Sequence, residues 1–140
     1  LQIIANGFHT KCLVLTDSDI GTQTENRAQE LKDKYDGVDE IDVQISELST
    51  FEKDLIECNK SGEGKKILCD TIKIVRPNSG KKYVDDLGAD DISVEDYFSL
   101  IKDYKSEFAL QLSLLLTDGH SGFNIPSYIE DGIDFLDPLM

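Results

Sequence analysis

The stretch Lys11-Cys-Leu-Val-Leu-Thr16, followed by Asp17-Ser-Asp19, decides the fold of this chain. Its first six residues are almost all apolar or β-favouring, which is the pattern of a buried strand in a parallel sheet. The next apolar stretch, Ile41 to Ile45, alternates and indicates a second strand, with a helical segment between the two. Because strand–helix–strand units close by a right-handed crossover, this order predicts an α/β fold: a parallel sheet flanked by helices.

The segments around these strands extend the prediction in both directions. Leu1 to Ala5 is a short apolar stretch, so the sheet core is predicted to run from Ile3 to Ile45. A start in mid-strand, with no basic leader and no initiator methionine, predicts that the sequence is a piece of a longer protein. Thr22-Gln-Thr-Glu25 predicts a capping box. The helix after it places Ala28, Leu31 and Tyr35 on one face, and Gly37 is predicted to end it.

The second half of the chain reads mainly as helices. Residues 1–140 are predicted to be one domain with a helical or irregular insertion at about 60–92 and extra C-terminal helices. Arg76 to Asp91 is rich in Gly, Pro, Asn and Asp and is predicted to be an irregular connection. Short helices are predicted at Phe51–Ile56 and Lys66–Val75. A third begins at Ser93, with Tyr97, Leu100, Ile101 and Tyr104 on its buried side, and continues or restarts through Phe108, Leu112 and Leu115. A last helix begins at Pro126, with Ile129, Ile133 and Leu136 facing inward.

Composition excludes several classes of protein. The three cysteines, Cys12, Cys58 and Cys69, form no Cys-x-x-Cys pair, and two histidines, His9 and His120, stand alone. This argues against structural zinc and disulfides and predicts a cytoplasmic protein. The sequence contains no run of roughly 18 apolar residues, the length needed to span a bilayer. A net charge of −14 opposes direct binding to nucleic acid unless cations or a partner domain supply positive charge.

Asp17 and Asp19 carry the first candidate chemistry. They follow a predicted strand, and ligands of α/β sheets bind at the carboxyl ends of strands. Two carboxylates at this spacing suit a hard cation such as Mg²⁺ or Mn²⁺, which prefers oxygen ligands. The alternative is an acidic turn that caps the next helix.

Three further residues are candidates for the same site. Glu52 and Asp54 follow the second strand, and acids crowded at one sheet edge repel one another unless a cation binds. The alternative for Glu52 is a solvated acid in the first turn of a helix. Lys105 opens an apolar helix and could present its ammonium to a phosphate. The alternative is a surface lysine lying beside Phe108.

Four segments together resemble a known family. Thr16-Asp17-Ser18-Asp19 resembles the Asp-x-Asp signature of TOPRIM domains. Thr50-Phe-Glu-Lys-Asp-Leu55, Lys105-Ser-Glu-Phe-Ala109 and Phe123-Asn-Ile-Pro-Ser-Tyr-Ile129 resemble, in family order, segments of the overcoming-lysogenisation-defect (OLD) nucleases. The resemblance implies a TOPRIM, Rossmann-like fold over nearly the whole chain.

The resemblance also implies a function. It implies a DNA endonuclease or nickase of the two-metal type, in which Asp17, Asp19, Glu52 and Asp54 hold Mg²⁺ or Mn²⁺ and Lys105 stabilises charge on the scissile phosphate. It further implies a covalently linked ABC-type ATPase that regulates ATP-dependent cutting, a homodimer or higher oligomer through the longer protein, and a role in antiphage defence, as in Gabija.

The sequence departs from the family at one point and leaves two alternatives open. TOPRIM domains open with a strand that ends in a glutamate, and Leu1 to Thr10 contains no carboxylate, so the isolated chain is expected to be weakly active or inactive. One alternative is a non-enzymatic TOPRIM-like module for dimerisation or regulation. The other is a haloacid-dehalogenase-like phosphatase, in which Asp17 is the nucleophile and Asp19 an acid.

Overall fold

The structure is a computed structural model that describes residues 1, 7, 10–117, 119 and 122–137. The predicted first strand at Ile3, both histidines and the predicted break at Asp118 lie outside these residues. Among the helices that the structure describes, none has the length and apolar character needed to cross a bilayer. The described elements are β1 (Cys12–Thr16), α1 (Asn26–Lys34), β2 (Ile41–Ile45), α2 (Phe51–Glu57), α3 (Gly62–Val75), α4 (Ser79–Leu87), α5 (Val94–Ile101), α6 (Lys105–Thr117) and α7 (Ser127–Leu136).

The chain divides into two compact units. One comprises Leu1–Asp54 with Ile125–Met140 and is called the sheet unit below. The other comprises Leu55–Asn124 and is called the helical unit. The prediction of a single domain with an insertion at about 60–92 stays a prediction.

The sheet unit is built on two parallel strands. β1 pairs with β2 in register, from Cys12 beside Ile41 to Thr16 beside Ile45. Helix α1 packs against β2, and α7 packs against both strands. Tyr35, Ile41 and Val43 are the buried centre of this layer. The mixed α/β class and the parallel pairing of the two predicted strands are therefore confirmed, although Leu15 is 48% exposed rather than buried.

The start of α1 differs from the predicted capping box. The helix begins at Asn26, and Thr22 accepts a hydrogen bond from the amide of Thr24 instead of Glu25. The carboxylate of Glu25 accepts from the amide of Gly21 at 2.9 Å. The predicted capping box is wrong because the side chains of Thr22 and Glu25 both stabilise the turn before the helix. The predicted buried face is largely confirmed, since Ala28 and Tyr35 are buried and Leu31 is half-buried.

Helix α7 also corrects the sequence prediction. It follows Pro126 as expected, but its buried residues are Tyr128 and Gly132. Ile133 and Leu136 are more than 40% exposed, so the predicted inward face is wrong for them. A Cβ at position 132 would lie 2.6 Å from Cδ1 of Leu13, so glycine permits the close approach of this helix to β1.

The helical unit has a large apolar core. Helix α3 packs against α4 and α6, and it contacts α5. A helix starts at Ser93 as predicted: α5 follows it directly, and the Ser93 hydroxyl accepts a hydrogen bond from the amide of Asp96. The next helix begins at Lys105. The core is formed by Leu55, Ile56, Ile67, Leu68, Cys69, Ile72, Val75, Ile92, Tyr97, Ile101, Phe108 and Leu112.

The prediction of an irregular connection from Arg76 to Asp91 is wrong. Residues Ser79–Leu87 form α4, and three of its side chains, Tyr83, Val84 and Leu87, pack on the core. Gly80 does not break this helix. A Cβ there would lie 2.2 Å from the carbonyl oxygen of Ile72, so glycine is required by the close contact with α3.

Candidate metal site at the strand ends

The loops that follow β1 and β2 are joined by backbone hydrogen bonds. The amide of Ser46 donates to the carbonyl of Thr16 at 3.0 Å, which continues the parallel ladder past the strands. The amide of Asp19 then donates to the carbonyl of Ser49 at 3.2 Å. The turn 17–19 and the loop 46–50 therefore form one connected edge at the carboxyl ends of the two strands.

Ser18 anchors the turn from inside. It is 7% exposed, and its amide donates to the hydroxyl oxygen of Ser46 at 2.8 Å. The hydroxyls of Ser18 and Ser46 both donate to the carbonyl of Leu48 at 2.6 Å. Because the middle residue of the turn points into the loop, its two neighbours, Asp17 and Asp19, are left to line the outer cleft.

Asp17 and Asp19 share an open cleft of about 590 Å³ in the sheet unit. Oδ1 of Asp17 accepts a hydrogen bond from the amide of Phe51 at 2.9 Å, and Oδ2 of Asp19 accepts from the hydroxyl of Thr24 at 2.9 Å. The other oxygen of each carboxylate accepts no hydrogen bond from the part of the chain that the structure describes. The cleft is lined by Leu15, Thr16, Asp17, Asp19, Phe51, Tyr128 and Ile129.

The backbone of Asp19 has an unusual conformation. Its φ is +53°, in the left-handed region where an L residue other than glycine is uncommon and where Asp and Asn are tolerated best. Its amide and its carboxylate are both hydrogen-bonded, to Ser49 and to Thr24. These two bonds hold the carboxylate on the cleft side of the turn.

Glu52 lies in the first turn of α2 and is half-buried. It is not among the described residues that line the cleft. Its participation in a site with Asp17 and Asp19 stays a prediction.

Asp54 is placed differently from the other acids. It is 6% exposed, and its carboxylate accepts three hydrogen bonds: from the amides of Glu47 (2.9 Å) and Leu48 (2.7 Å) and from the hydroxyl of Tyr128 (2.9 Å). Burial and this carboxylate raise the pKa of Tyr128 well above its usual range, so the tyrosine remains a neutral donor.

Lys105 is the first residue of α6 and belongs to the helical unit. Its side chain is half-buried, and its Nζ lies 5.4 Å from the centroid of the Phe98 ring. This contact is a cation–π interaction, which fits the alternative of a lysine packed along an aromatic surface, with Phe98 in place of the expected Phe108. Its role towards a phosphate stays a prediction.

The acids fit a metal ion only in part. Across residues 10–117 and 122–137, no three His, Cys, Asp or Glu side chains come together as a group that could hold a metal. Asp17 and Asp19 suit Mg²⁺ or Mn²⁺ as a pair, because Mg²⁺ commonly binds through one or two carboxylates and completes its coordination with water and phosphate. The carboxylate of Asp54 is already occupied by its three donors.

Sequence reasoning gave no role to four residues that shape this edge: Ser18, Thr24, Ser46 and Tyr128. Ser18 and Thr24 lie within or just after the Asp-x-Asp turn, where short hydroxyl side chains commonly bond to nearby backbone. Tyr128 was noted only as part of the segment Phe123–Ile129. Its partner, Asp54, lies 74 residues away, so no local pattern could reveal the contact.

No protein-family model, no curated protein and no solved structure matches the chain in comparison with known proteins. The site is therefore characterised by its geometry alone: a carboxylate pair that follows a parallel strand and lines an open cleft. The resemblance of the four segments to OLD nucleases remains a sequence-based expectation.

Proposed function

We propose that this chain is a TOPRIM-type, divalent-metal-dependent nuclease domain that hydrolyses phosphodiester bonds in DNA. The observation that carries the proposal is the pair Asp17 and Asp19, which line a shared cleft and each have one carboxylate oxygen without a hydrogen-bond donor among the described residues. Like charges that line one cleft repel each other, and a bound cation relieves that repulsion.

The residues of the sheet unit have distinct roles in this proposal. Oδ2 of Asp17 and Oδ1 of Asp19 would hold Mg²⁺ or Mn²⁺. When bound there, such a cation would supply Lewis acidity. The amide of Phe51 and the hydroxyl of Thr24 fix the two carboxylates by bonding to their other oxygens. Such bonds keep a ligand in its binding rotamer, as is common around metal sites.

Two further residues belong to the proposal through the family resemblance. Glu52 would add a carboxylate to the metal site, and Lys105 would stabilise negative charge on the phosphate. Each has a competing structural role: Glu52 as an acid in the first turn of α2, and Lys105 in its contact with Phe98. Substitution of these two residues therefore distinguishes the catalytic role that the resemblance implies from the structural role that each has in its own helix.

The strong negative charge sets the context in which the site would act. With 28 acidic and 14 basic residues, the chain gains little from displacing counterions on DNA. We propose that a longer protein supplies the positively charged surface, through a linked ATPase domain and a homodimer or higher oligomer. The isolated chain is accordingly expected to cut DNA slowly or not at all.

The test is relaxation of supercoiled plasmid in Mg²⁺ or Mn²⁺ by a longer natural protein that carries this chain. Asp17→Ala, Asp19→Ala, Glu52→Ala and Lys105→Ala are each expected to lower the nicking rate by about 10²-fold or more, the scale of losing one electrostatic catalytic group. The four losses should be far from additive because the residues act as a unit. Asp39→Ala, which removes an exposed acid elsewhere in the sheet unit, is the matched control.

The outcomes separate the competing functions. If Glu52→Ala and Lys105→Ala nick as fast as wild type, the nuclease assignment fails at those residues. If all four variants behave like Asp39→Ala, a non-enzymatic dimerisation or regulatory module takes its place. Hydrolysis of p-nitrophenyl phosphate that is lost in Asp17→Ala, without any nicking, would instead favour the phosphatase alternative.

A further inference from the structure

Asp54 and Tyr128 form a buried contact beside the candidate metal site. The hydroxyl of Tyr128 donates to Oδ2 of Asp54 at 2.9 Å, and both residues are less than 10% exposed. The same carboxylate accepts the amides of Glu47 at Oδ2 and Leu48 at Oδ1. Three donors on one buried carboxylate make strong, charge-assisted hydrogen bonds with a fixed geometry.

The contact is linked to the two acids through the loop after β2. Leu48, whose amide is held by Asp54, offers its carbonyl to the hydroxyl of Ser18 at 2.6 Å. Ser18 is the residue between Asp17 and Asp19. A continuous set of hydrogen bonds therefore runs from Tyr128 through Asp54 and Leu48 to the turn that carries the acids.

The residues after Leu48 strengthen this link. The carbonyl of Ser49 accepts the amide of Asp19, and the amide of Phe51 donates to the carboxylate of Asp17. Ser18 and Asp19 are thus bonded to the loop 46–50 that Asp54 holds, and Asp17 is bonded to Phe51, the residue directly after that loop. Displacement of this loop would move both acids.

Asp54 has little capacity left for a cation. A carboxylate offers about four lone-pair sites, and three are occupied by donors. With 6% of its surface exposed, and without a place among the described residues that line the cleft, its remaining lone pair does not face open solvent.

We infer that Asp54 and Tyr128 are positioning residues for Asp17 and Asp19, and that Asp54 acts in this way instead of binding the metal. The inference rests on the proposed metal site for its functional consequence. Its structural part, the fixing of the Glu47 and Leu48 amides, is independent of that proposal.

The experiment measures two quantities on the full chain, for wild type, Tyr128→Phe and Asp54→Asn. The first is Mn²⁺ affinity by isothermal titration calorimetry, at a temperature where every variant is folded. The second is amide hydrogen exchange of Glu47 and Leu48 in the metal-free protein. Tyr97→Phe is the matched control, since it also deletes a buried tyrosine hydroxyl with a 2.7 Å hydrogen bond, but in the helical unit.

Both variants are expected to weaken Mn²⁺ binding by about tenfold or more, the scale for groups that orient metal ligands. They should also accelerate exchange of the Glu47 and Leu48 amides, while Tyr97→Phe changes neither quantity. Because Tyr128→Phe keeps every carboxylate, a loss of affinity in this variant cannot come from a missing carboxylate ligand.

Two results would overturn the inference. The first is Mn²⁺ binding that is lost in Asp54→Asn but retained in Tyr128→Phe, which would make Asp54 a ligand. The second is unchanged amide exchange in both variants, whatever the Mn²⁺ affinity does. If wild type shows no Mn²⁺ binding that depends on Asp17, the proposed function fails. Accelerated exchange in both variants would in that case still support the structural part.

Discussion

Each of the two units of this chain is stabilised internally by a different kind of interaction. The described part of the helical unit buries a cluster of twelve apolar side chains, among them Tyr97, Phe108 and Leu68. The corresponding cluster of the sheet unit has three, and the buried polar residues Ser18 and Ser46 lie in its strand-end loops, with buried Asp54 in the first turn of α2. Apolar packing is non-directional, whereas hydrogen bonds fix distances and angles.

This difference matters for where chemistry can be placed. The candidate acids Asp17 and Asp19 occupy the region in which position is set by a few directional bonds. We therefore expect the apolar core to control stability and the loop network to control the geometry of the acids.

The largest effect on stability is expected from the apolar core. Leu68 is completely buried, so Leu68→Ala should lower the free energy of unfolding by about 2–5 kcal/mol, as cavity-forming substitutions do. Ser18→Ala removes one hydrogen bond and should cost only about 1 kcal/mol. The two variants should rank the other way for Mn²⁺ affinity, which should fall about tenfold in Ser18→Ala and not change in Leu68→Ala.

Denaturant unfolding measures the free energy of unfolding, and isothermal titration calorimetry measures the Mn²⁺ affinity. Equal losses of affinity in the two variants would contradict the separation of stability from site geometry.

A smaller and more local effect is expected from two helical glycines. In Gly80→Ala the new methyl would meet the backbone carbonyl of Ile72, which cannot move without shifting a helix. In Gly132→Ala it would meet the ends of the Leu13 side chain, which can rotate. We expect Gly80→Ala to destabilise by roughly 1–3 kcal/mol, the cost of overpacking, and Gly132→Ala by less. Melting temperatures of both variants decide the order, and a more stable Gly80→Ala would show that α3 and α4 are not in close contact.

The smallest effect concerns two tyrosines of the helical unit whose rings lie 6.1 Å apart. The hydroxyl of Tyr97 donates to the carbonyl of Leu68, so Tyr97→Phe should cost about 1 kcal/mol. The buried hydroxyl of Tyr83 makes no hydrogen bond of normal geometry with the described residues. Burial raises its pKa, although the backbone of Ser93 lies near enough to lower that pKa by a smaller amount. Tyr83→Phe should therefore be neutral or slightly stabilising. A loss in Tyr83→Phe as large as that in Tyr97→Phe would show that the Tyr83 hydroxyl has a partner.

The sequence predicted the fold where a local pattern determines structure. The apolar run before Asp17 and the alternation at Ile41–Ile45 correctly indicated two parallel strands. Ser93 correctly marked a helix start, because its hydroxyl accepts the amide of Asp96. At both places the determining residues are neighbours in the chain.

The predictions failed where a distant contact determines structure. Gly80 suggested an irregular segment but is required by the approach of Ile72. In α7, counting apolar residues selected Ile133, whereas the helix turns Tyr128 towards Asp54. Asp17 and Asp19 both line one cleft, and no local pattern indicated the contacts that hold them there.

The central claim is that Asp17 and Asp19 form a cation site at the carboxyl end of β1. Titration of the full chain with Mn²⁺ by isothermal titration calorimetry, with wild type, Asp17→Ala, Asp19→Ala and the control Asp39→Ala, tests it most directly. We predict weak binding by wild type and Asp39→Ala, accompanied by a rise in melting temperature, and a loss of affinity of at least about tenfold in the other two. Equal Mn²⁺ affinity in Asp17→Ala, Asp19→Ala and wild type would contradict the claim and place any metal elsewhere.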